Sequence, residues 1–299
     1  MPVMRVALVS SSEMWSGEGD DAPLIAALRE LGAHVTTPAW DDRTVDWATN
    51  DVCLVRTTWD YHKRRTEFLD WARQVTAVSQ LYNPLAVIEW NSIKSYLEEL
   101  GKAGLPVPPT IWLDRATNVD LGQLLADREW KRGFLKPDVG ACASQTMLFD
   151  VDIAGIEAAQ AHLDQGLPGA GFLVQPFLES VESEGEYSVI FIEGEFTHAV
   201  RKVPAKGDYR VMDEYGASDA PVTLDTNAIE LARRTCATCE QRLGLESPLL
   251  YARVDFLRDA KRELVINEVE LVEPSLFFRH CEDAAVRLAH QLLGRVRRR

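Results

Sequence analysis

"NEVELVEPSLFF", residues 267–278, places Glu268, Glu270 and Glu273 among valines and leucines spaced as in a strand. Side chains alternate across a strand. In "LVINEVEL" (264–271), Val265, Asn267, Val269 and Leu271 therefore take one face, and Ile266, Glu268 and Glu270 the other. The preceding "YARVDFL" (251–257) sends Ala252, Val254 and Phe256 one way and Arg253 and Asp255 the other. A hairpin through a two-residue Lys261–Arg262 turn sets Asp255 opposite Glu268 and Arg253 opposite Glu270, and any even-numbered turn preserves that facing. Asp255, Glu268 and Glu270 on one face repel one another unless a cation joins them, and an oxygen-only donor set favours Mg²⁺ over softer metals. The residues leave a second reading open, a solvated face neutralised by Arg253 and nearby basic side chains. Glu273 lies beyond the strand register, ahead of Pro274, and reads as a loop or outer carboxylate.

A Mg²⁺ site with few protein ligands usually shares its ion with phosphates, so lysines and arginines are expected from other segments. Lys136, in "GFLKPDVGACASQT", closes an apolar strand ahead of Pro137 and the small-residue run Gly140–Ser144, whose backbone N–H groups could face phosphates; a surface turn is the alternative. Lys94 is read as lying on the helix after "EWN". "HAVRKVPAKGDYRV" adds His198, Arg201, Lys202 and Arg210, either as a charged strand face or as site residues, with His198 a candidate base or a satisfied polar group. In "FLVQPFLESVESEGEYSV", an apolar strand ends at Gln175–Pro176, where the missing proline N–H is expected to turn the backbone out of the sheet. Released backbone groups there could read the edge of a flat base walled by Phe177 and Leu178, and Glu186 could accept hydrogen bonds from ribose hydroxyls.

Composition sets the frame. The 299 residues, 46% apolar and 26% charged, suit a globular enzyme with one large core or several small ones. A net charge of −14 argues against nucleic acid, and no apolar run approaches a membrane span. A cytoplasmic protein is expected. Cys236 and Cys239 form a lone C-x-x-C in a helical run and read as buried or solvated thiols; the terminal "RVRRR" reads as a solvated end.

Strand and helix signals alternate over "RVALVSS", "APLIAALREL", "AHVTTPAW", "DVCLVRTTW" and "EFLDWARQVTA", which predicts a parallel sheet flanked by helices. Strand-rich segments follow "YNPLAVIEW" and predict two α+β units. The expected divisions are 1–88, 89–173 and 174–299, an α/β and α+β chain with the metal face in the last unit.

In this order the segments resemble the ATP-grasp superfamily from about Lys94 to Ser275. The parts are Lys94, Lys136, "QPFLE", "GEYSV", Arg210, "RVDF" and "NEVELVEPS". The resemblance implies an N-terminal parallel domain and two α+β subdomains sandwiching ATP. It implies that Lys94, Lys136, Gln175, Phe177, Leu178 and Glu186 bind ATP, that Asp255, Glu268 and Glu270 hold Mg²⁺, and that Arg210 lies near the transferred phosphate. Many members carry Asn where this chain has Glu270, so its metal site is more anionic.

A narrower resemblance, through "VRTTWDYHKRRTEFLDW" and "GEYSVIFIEGEFTHAVRKVPAKGDYRV", is to the ATP-grasp group containing the cyclo-ligase of D-cycloserine biosynthesis. It implies a small amino-acid-like substrate, O-ureido-D-serine, cyclised with release of ADP, phosphate, CO₂ and NH₃, and a homodimer. Arg56 follows an apolar strand and could hold a carboxylate, with Trp59, Asp60 and Tyr61 as walls; Arg201 and Lys202 complete the expected substrate set. Arg210, Lys136 and His198 are the expected catalytic groups. A ligase joining an amino acid to a separate amine, and a non-catalytic ATP-binding module, are the alternatives.

Overall fold

β1 (Arg5–Ser10), β2 (His34–Thr36), β3 (Val52–Thr57) and β4 (Gln80–Tyr82) form a parallel sheet in the order β2-β1-β3-β4. The computed structural model describes residues 3–13, 19–113, 119–165 and 171–296; the end of the "RVRRR" run lies outside them. Parallel strands joined by helices are covered on both faces, so they are apolar throughout instead of alternating with polar residues. Val6, Leu8, Val52 and Leu54 face α1 (Ala22–Glu30), whereas Ala7, Val9, Cys53 and Val55 face α2 (Arg65–Val78).

α3 (Leu85–Asn91) and α4 (Tyr96–Lys102) lead to a second sheet. It contains β5 (Ile111–Leu113), β6 (Arg132–Pro137), β7 (Met147–Asp150) and β8 (Phe172–Pro176) in the antiparallel order β5-β8-β6-β7. One face packs on α5 (Leu121–Leu125) and α6 (Ile153–Asp164). β8 crosses the 173/174 division drawn from the sequence, because its pairing partners β5 and β6 both lie earlier in the chain.

After the short α7 (Ser180–Ser183), β9 (Glu186–Ile192), β10 (Glu195–Val203), β11 (Ser218–Pro221), β12 (Tyr251–Arg258) and β13 (Leu264–Glu270) form an antiparallel sheet in the order β11-β10-β9-β12-β13. α8 (Thr226–Leu243) covers one face, burying Cys236 and Cys239 in its core. The other face shares a core with the parallel sheet: Ile190, Ile192 and Tyr251 pack with Val6, Leu54 and the apolar side of α9 (Glu282–Val296). Among the described residues, no helix is long and apolar enough to cross a membrane.

Candidate functional site

Asp255 pairs with Glu268, and Arg253 with Glu270, the facing expected from the sequence. The route to it differs. Asp259 N and Arg262 N donate to Glu263 O and Asp259 O (both 2.9 Å), and Arg262 has φ 69°, so the turn has three central residues instead of two. That odd count shifts the register to Phe256↔Ile266, and a bulge at Asn267 restores it before Asp255. The bulge also breaks the simple alternation. Ile266, expected beside the glutamates, packs in the core with Val269 and Leu271, while Asn267 joins the polar side and its Nδ2 donates to Glu186 Oε2.

β13 is an edge strand, and its free edge is covered by side chains. Asn91 Nδ2 donates to Val269 O and its Oδ1 accepts from Leu271 N, both 2.8 Å. Tyr96 Oη accepts from Val269 N at 3.1 Å. Asn83, in the "YNP" link, donates to Tyr251 O (3.0 Å) and Leu271 O (2.8 Å) and accepts from Leu250 N (3.1 Å). Buried amides thus replace a neighbouring strand, holding Glu268 and Glu270 against a cavity of about 600 Å³ between the two antiparallel sheets.

The carboxylate face buries Asp255, leaves Glu268 and Glu270 half-buried at the cavity, and forms no preformed metal cage. Among the described residues, no group of three or more His, Cys, Asp or Glu side chains is arranged to hold a metal ion. The protein's own cations occupy the carboxylates: Arg253 bridges Asp255 (2.9 Å) and Glu270, Lys94 binds Glu268 (2.7 Å), and Lys202 binds Glu186 and approaches Asp255 (3.5 Å). Burial pushes Asp255 up, but Arg253 and Lys202 outweigh it and hold the carboxyl below its usual range. Burial likewise opposes ionisation of Glu268, and Lys94 with Lys136 reverses the balance. Glu270 is different: burial, with Asp255 and Glu268 nearby, pushes it up to about 7 despite Arg253.

Lys94 stands in the turn between α3 and α4 and not on a helix. Its N–H leaves the helical pattern to reach Asp138 O at 2.7 Å, and Nζ donates to Gly140 O at 2.9 Å, tying this turn to the segment after β6. Lys136 enters the cavity from β6, 5% exposed, and its side chain makes no hydrogen bond or ion pair among the described residues. Burial pulls its pKa down to about 8. Gly185 seats Glu186: its φ is +85°, and a Cβ there would lie 2.1 Å from Lys202 O, across from which β9 begins.

An aromatic wall faces these charges. Phe177 meets Phe134 (6.3 Å between ring centroids) and Tyr209 (6.2 Å), both unrecognised in the sequence because they come from β6 and the loop after β10. Gln175 lines the cavity and donates to Thr110 Oγ1 at 2.9 Å; Leu178 lines it too. Contrary to expectation the ladder runs through Pro176, which pairs with Gly133, and Phe177 N still reaches Arg132 O at 2.9 Å. Proline fits because β5 pairs no further than Val174, so no donor is needed on that side. Arg210 lines the cavity, held on Asp208 (2.7 Å) and 3.7 Å over the Tyr215 ring.

The expected substrate and base residues divide. Trp59, Tyr61 and Lys202 line the cavity. Arg56 does not: 2% exposed, it pairs with Asp21 at 2.8 Å between the Tyr251 and Phe278 rings. Asp60 is also committed, accepting from Trp40 Nε1 (3.0 Å) and Arg64 (3.1 Å). Arg201 points outward from β10. His198 lies away from the cavity with Nε2 3.1 Å from Leu276 O, and burial lowers its pKa. Strand-end position alone did not separate a ligand-facing side chain from one buried behind it.

Three comparisons relate this chain to known proteins. A model of the "D-cycloserine synthetase DcsG, N-terminal domain" matches residues 6–83. The cycloserine biosynthesis protein DcsG of Streptomyces lavendulae is 31% identical over 301 residues, covering 98% of this chain and 99% of the relative. This chain belongs to the D-cycloserine synthetase family. The crystal structure of D-cycloserine synthetase DcsG superposes with a TM-score of 0.89 at 29% identity, over 98% of this chain and 99% of that one. The ATP-grasp ligase PsnB, solved with a minimal precursor variant, Mg and ADP, has a TM-score of 0.65 at 17% identity over 97% and 98% of the two chains. This member of the D-cycloserine synthetase family therefore has the ATP-grasp fold and is an ATP-dependent ligase.

Proposed function

We propose that this ligase cyclises O-ureido-D-serine to D-cycloserine through an acyl phosphate. The observation that carries the reading is the meeting, in one cavity, of the aromatic wall, the unpaired Lys136 and the Asp255–Glu268–Glu270 face, within a chain that matches DcsG from end to end. The base of ATP would lie against Phe134, Phe177 and Tyr209, beside Gln175 and Leu178. Lys94 and Lys136 would face its phosphates. Glu186 would reach the ribose, exchanging one of its present partners, Lys202 and Asn267, for a hydroxyl.

Asp255, Glu268 and Glu270 fit Mg²⁺ by donor chemistry and would hold it once Glu268 and Glu270 turn from Lys94 and Arg253; the ion supplies charge stabilisation at the phosphates. The substrate carboxylate bonds to the γ-phosphorus as ADP leaves. Lys136 and Arg210 offset the charge that spreads over the transferred oxygens. The ureido nitrogen then bonds to the acyl carbon, phosphate departs, and water removes the carbamoyl group as CO₂ and NH₃. Both reacting ends belong to one molecule, so orientation within the pocket supplies much of the acceleration.

ADP release from Mg·ATP with O-ureido-D-serine, its L isomer, or an amino acid plus a separate amine, followed by mass spectrometry, tests the reading. Cycloserine from the D isomer alone is expected; ADP only when a second amine is present would replace cyclisation by intermolecular ligation. A homodimer in the cytoplasm completes the proposal, and light scattering tests its stoichiometry.

A further inference from the structure

The ion pairs around the cavity leave two buried charges over. Lys136 and Glu273 are 5% and 9% exposed, and neither makes a side-chain hydrogen bond or ion pair among the described residues. A buried charge without a partner is strongly unfavourable in a protein interior. The reading above assigns a phosphate to Lys136. It gives Glu273 nothing.

Glu273 is held in place by its backbone. Its carbonyl accepts from Trp59 Nε1 at 3.0 Å, Pro274 follows, and Ser275 is fixed from both sides, its carbonyl by Arg253 Nη1 and its hydroxyl by Asp20, each at 3.1 Å. Glu273 lines the same cavity as Glu268, Glu270, Lys94 and Arg253, and burial, with the two glutamates, raises the pKa of its carboxyl. In this structure both nearby cations are already engaged. Lys94 is engaged by Glu268 and Gly140 O, and every nitrogen of Arg253 by Asp255, Glu270 or Ser275 O. The cavity leaves room for a cation brought by a ligand, beside which the Glu273 carboxyl would ionise.

Resting on the proposed ligase reading, we propose that Glu273 binds the protonated amine of the amino-acid substrate, making a free α-ammonium group beside the activated carboxylate a requirement of this enzyme. An ammonium is compact and brings three donors, which suits a lone carboxylate beside the Trp59 and Tyr61 rings. The α-amine and carboxylate are separated by one carbon. Glu273 and Glu270 line the same cavity, so the two ends of the amino-acid head would meet in one pocket.

The test compares O-ureido-D-serine with its des-amino analogue, ureidooxypropanoate, in the full-length wild type, Glu273→Gln and Glu273→Asp. ADP release gives kcat and KM, and ADP binding is measured separately. Wild type is expected to prefer the amine by roughly 30-fold or more in kcat/KM, and Glu273→Gln to lose that preference mainly through KM while binding ADP normally. Glu273→Asp, with its shifted carboxylate, retains part of it. An undiminished preference in folded, ADP-binding Glu273→Gln overturns the proposal. Failure of the cyclisation reading is seen separately, in the wild type: another amino acid, and not O-ureido-D-serine, supports ADP release. The same cycle run on that acid and its des-amino form then decides the role of Glu273.

Discussion

Lys136→Met should stabilise the protein while weakening nucleotide binding. The folded lysine has its pKa lowered from 10.5 to about 8, chiefly by burial, and Glu268 and Glu186 compensate only in part. That difference corresponds to about 3 kcal/mol held against the folded state. The sign follows from which state binds the proton. Below about pH 8 both states carry it and the penalty is complete; between about pH 8 and 10.5 the unfolded chain keeps the proton while the folded lysine has lost it, and the penalty fades. Methionine fills similar space without the charge. Chemical denaturation should therefore show Lys136→Met more stable than wild type by about 2–3 kcal/mol at neutral pH, with the gain shrinking as pH rises past 8. In the wild type, a phosphate beside Lys136 restores its proton, so ADP affinity should fall roughly tenfold between about pH 7 and 9, and this pH dependence should be absent from the variant. A variant less stable than wild type at neutral pH, or one binding ADP with an unchanged pH profile, would refute an unpaired, phosphate-facing lysine.

Glu268→Gln removes a proposed metal ligand that supports no core packing, so folding should survive while ADP release drops roughly 100-fold or more, measured by coupled assay at saturating Mg·ATP. Asn91→Ala strips both hydrogen bonds from the outer edge of β13 and leaves Val269 O and Leu271 N buried and unpaired; a loss of about 2–4 kcal/mol in unfolding free energy is expected. Arg56→Ala leaves Asp21 as an uncompensated buried carboxylate and should cost about 3–5 kcal/mol of stability. Its KM for the substrate in the surviving folded fraction should stay near wild type, in contrast to a carboxylate-binding role.

The polar faces of Asp255 and of Glu268 and Glu270 were legible because a period of two assigns faces within a strand, while their pairing came out as expected only because the longer turn and the bulge offset each other. Asn267 was not legible, since a three-residue turn and a bulge cancel in the register and leave no trace in the hydrophobic pattern; the polar Asn between Ile266 and Glu268 was the available signal. Glu273 reads from the sequence as a loop or outer carboxylate. Its importance lies in a carboxyl with no side-chain hydrogen bond or ion pair among the described residues, which only the neighbours of a folded chain reveal. Arg56 lies at the end of β3 and Tyr61 just beyond it, yet Arg56 is sealed against Asp21 between the Tyr251 and Phe278 rings and Tyr61 lines the cavity.

The amino-acid sequence by itself determined the alternation of strands and helices, the order of the charged segments and the shared face of Asp255, Glu268 and Glu270, because these follow from local periodicity and chain order. Tertiary structure alone decided which charges pair. Arg253, Lys94 and Lys202 reach the carboxylates from a strand, a helix–helix turn and a neighbouring strand, and leave Lys136 and Glu273 over. Pairing depends on distance in three dimensions and on exclusion of water, and neither quantity is carried by spacing along the chain.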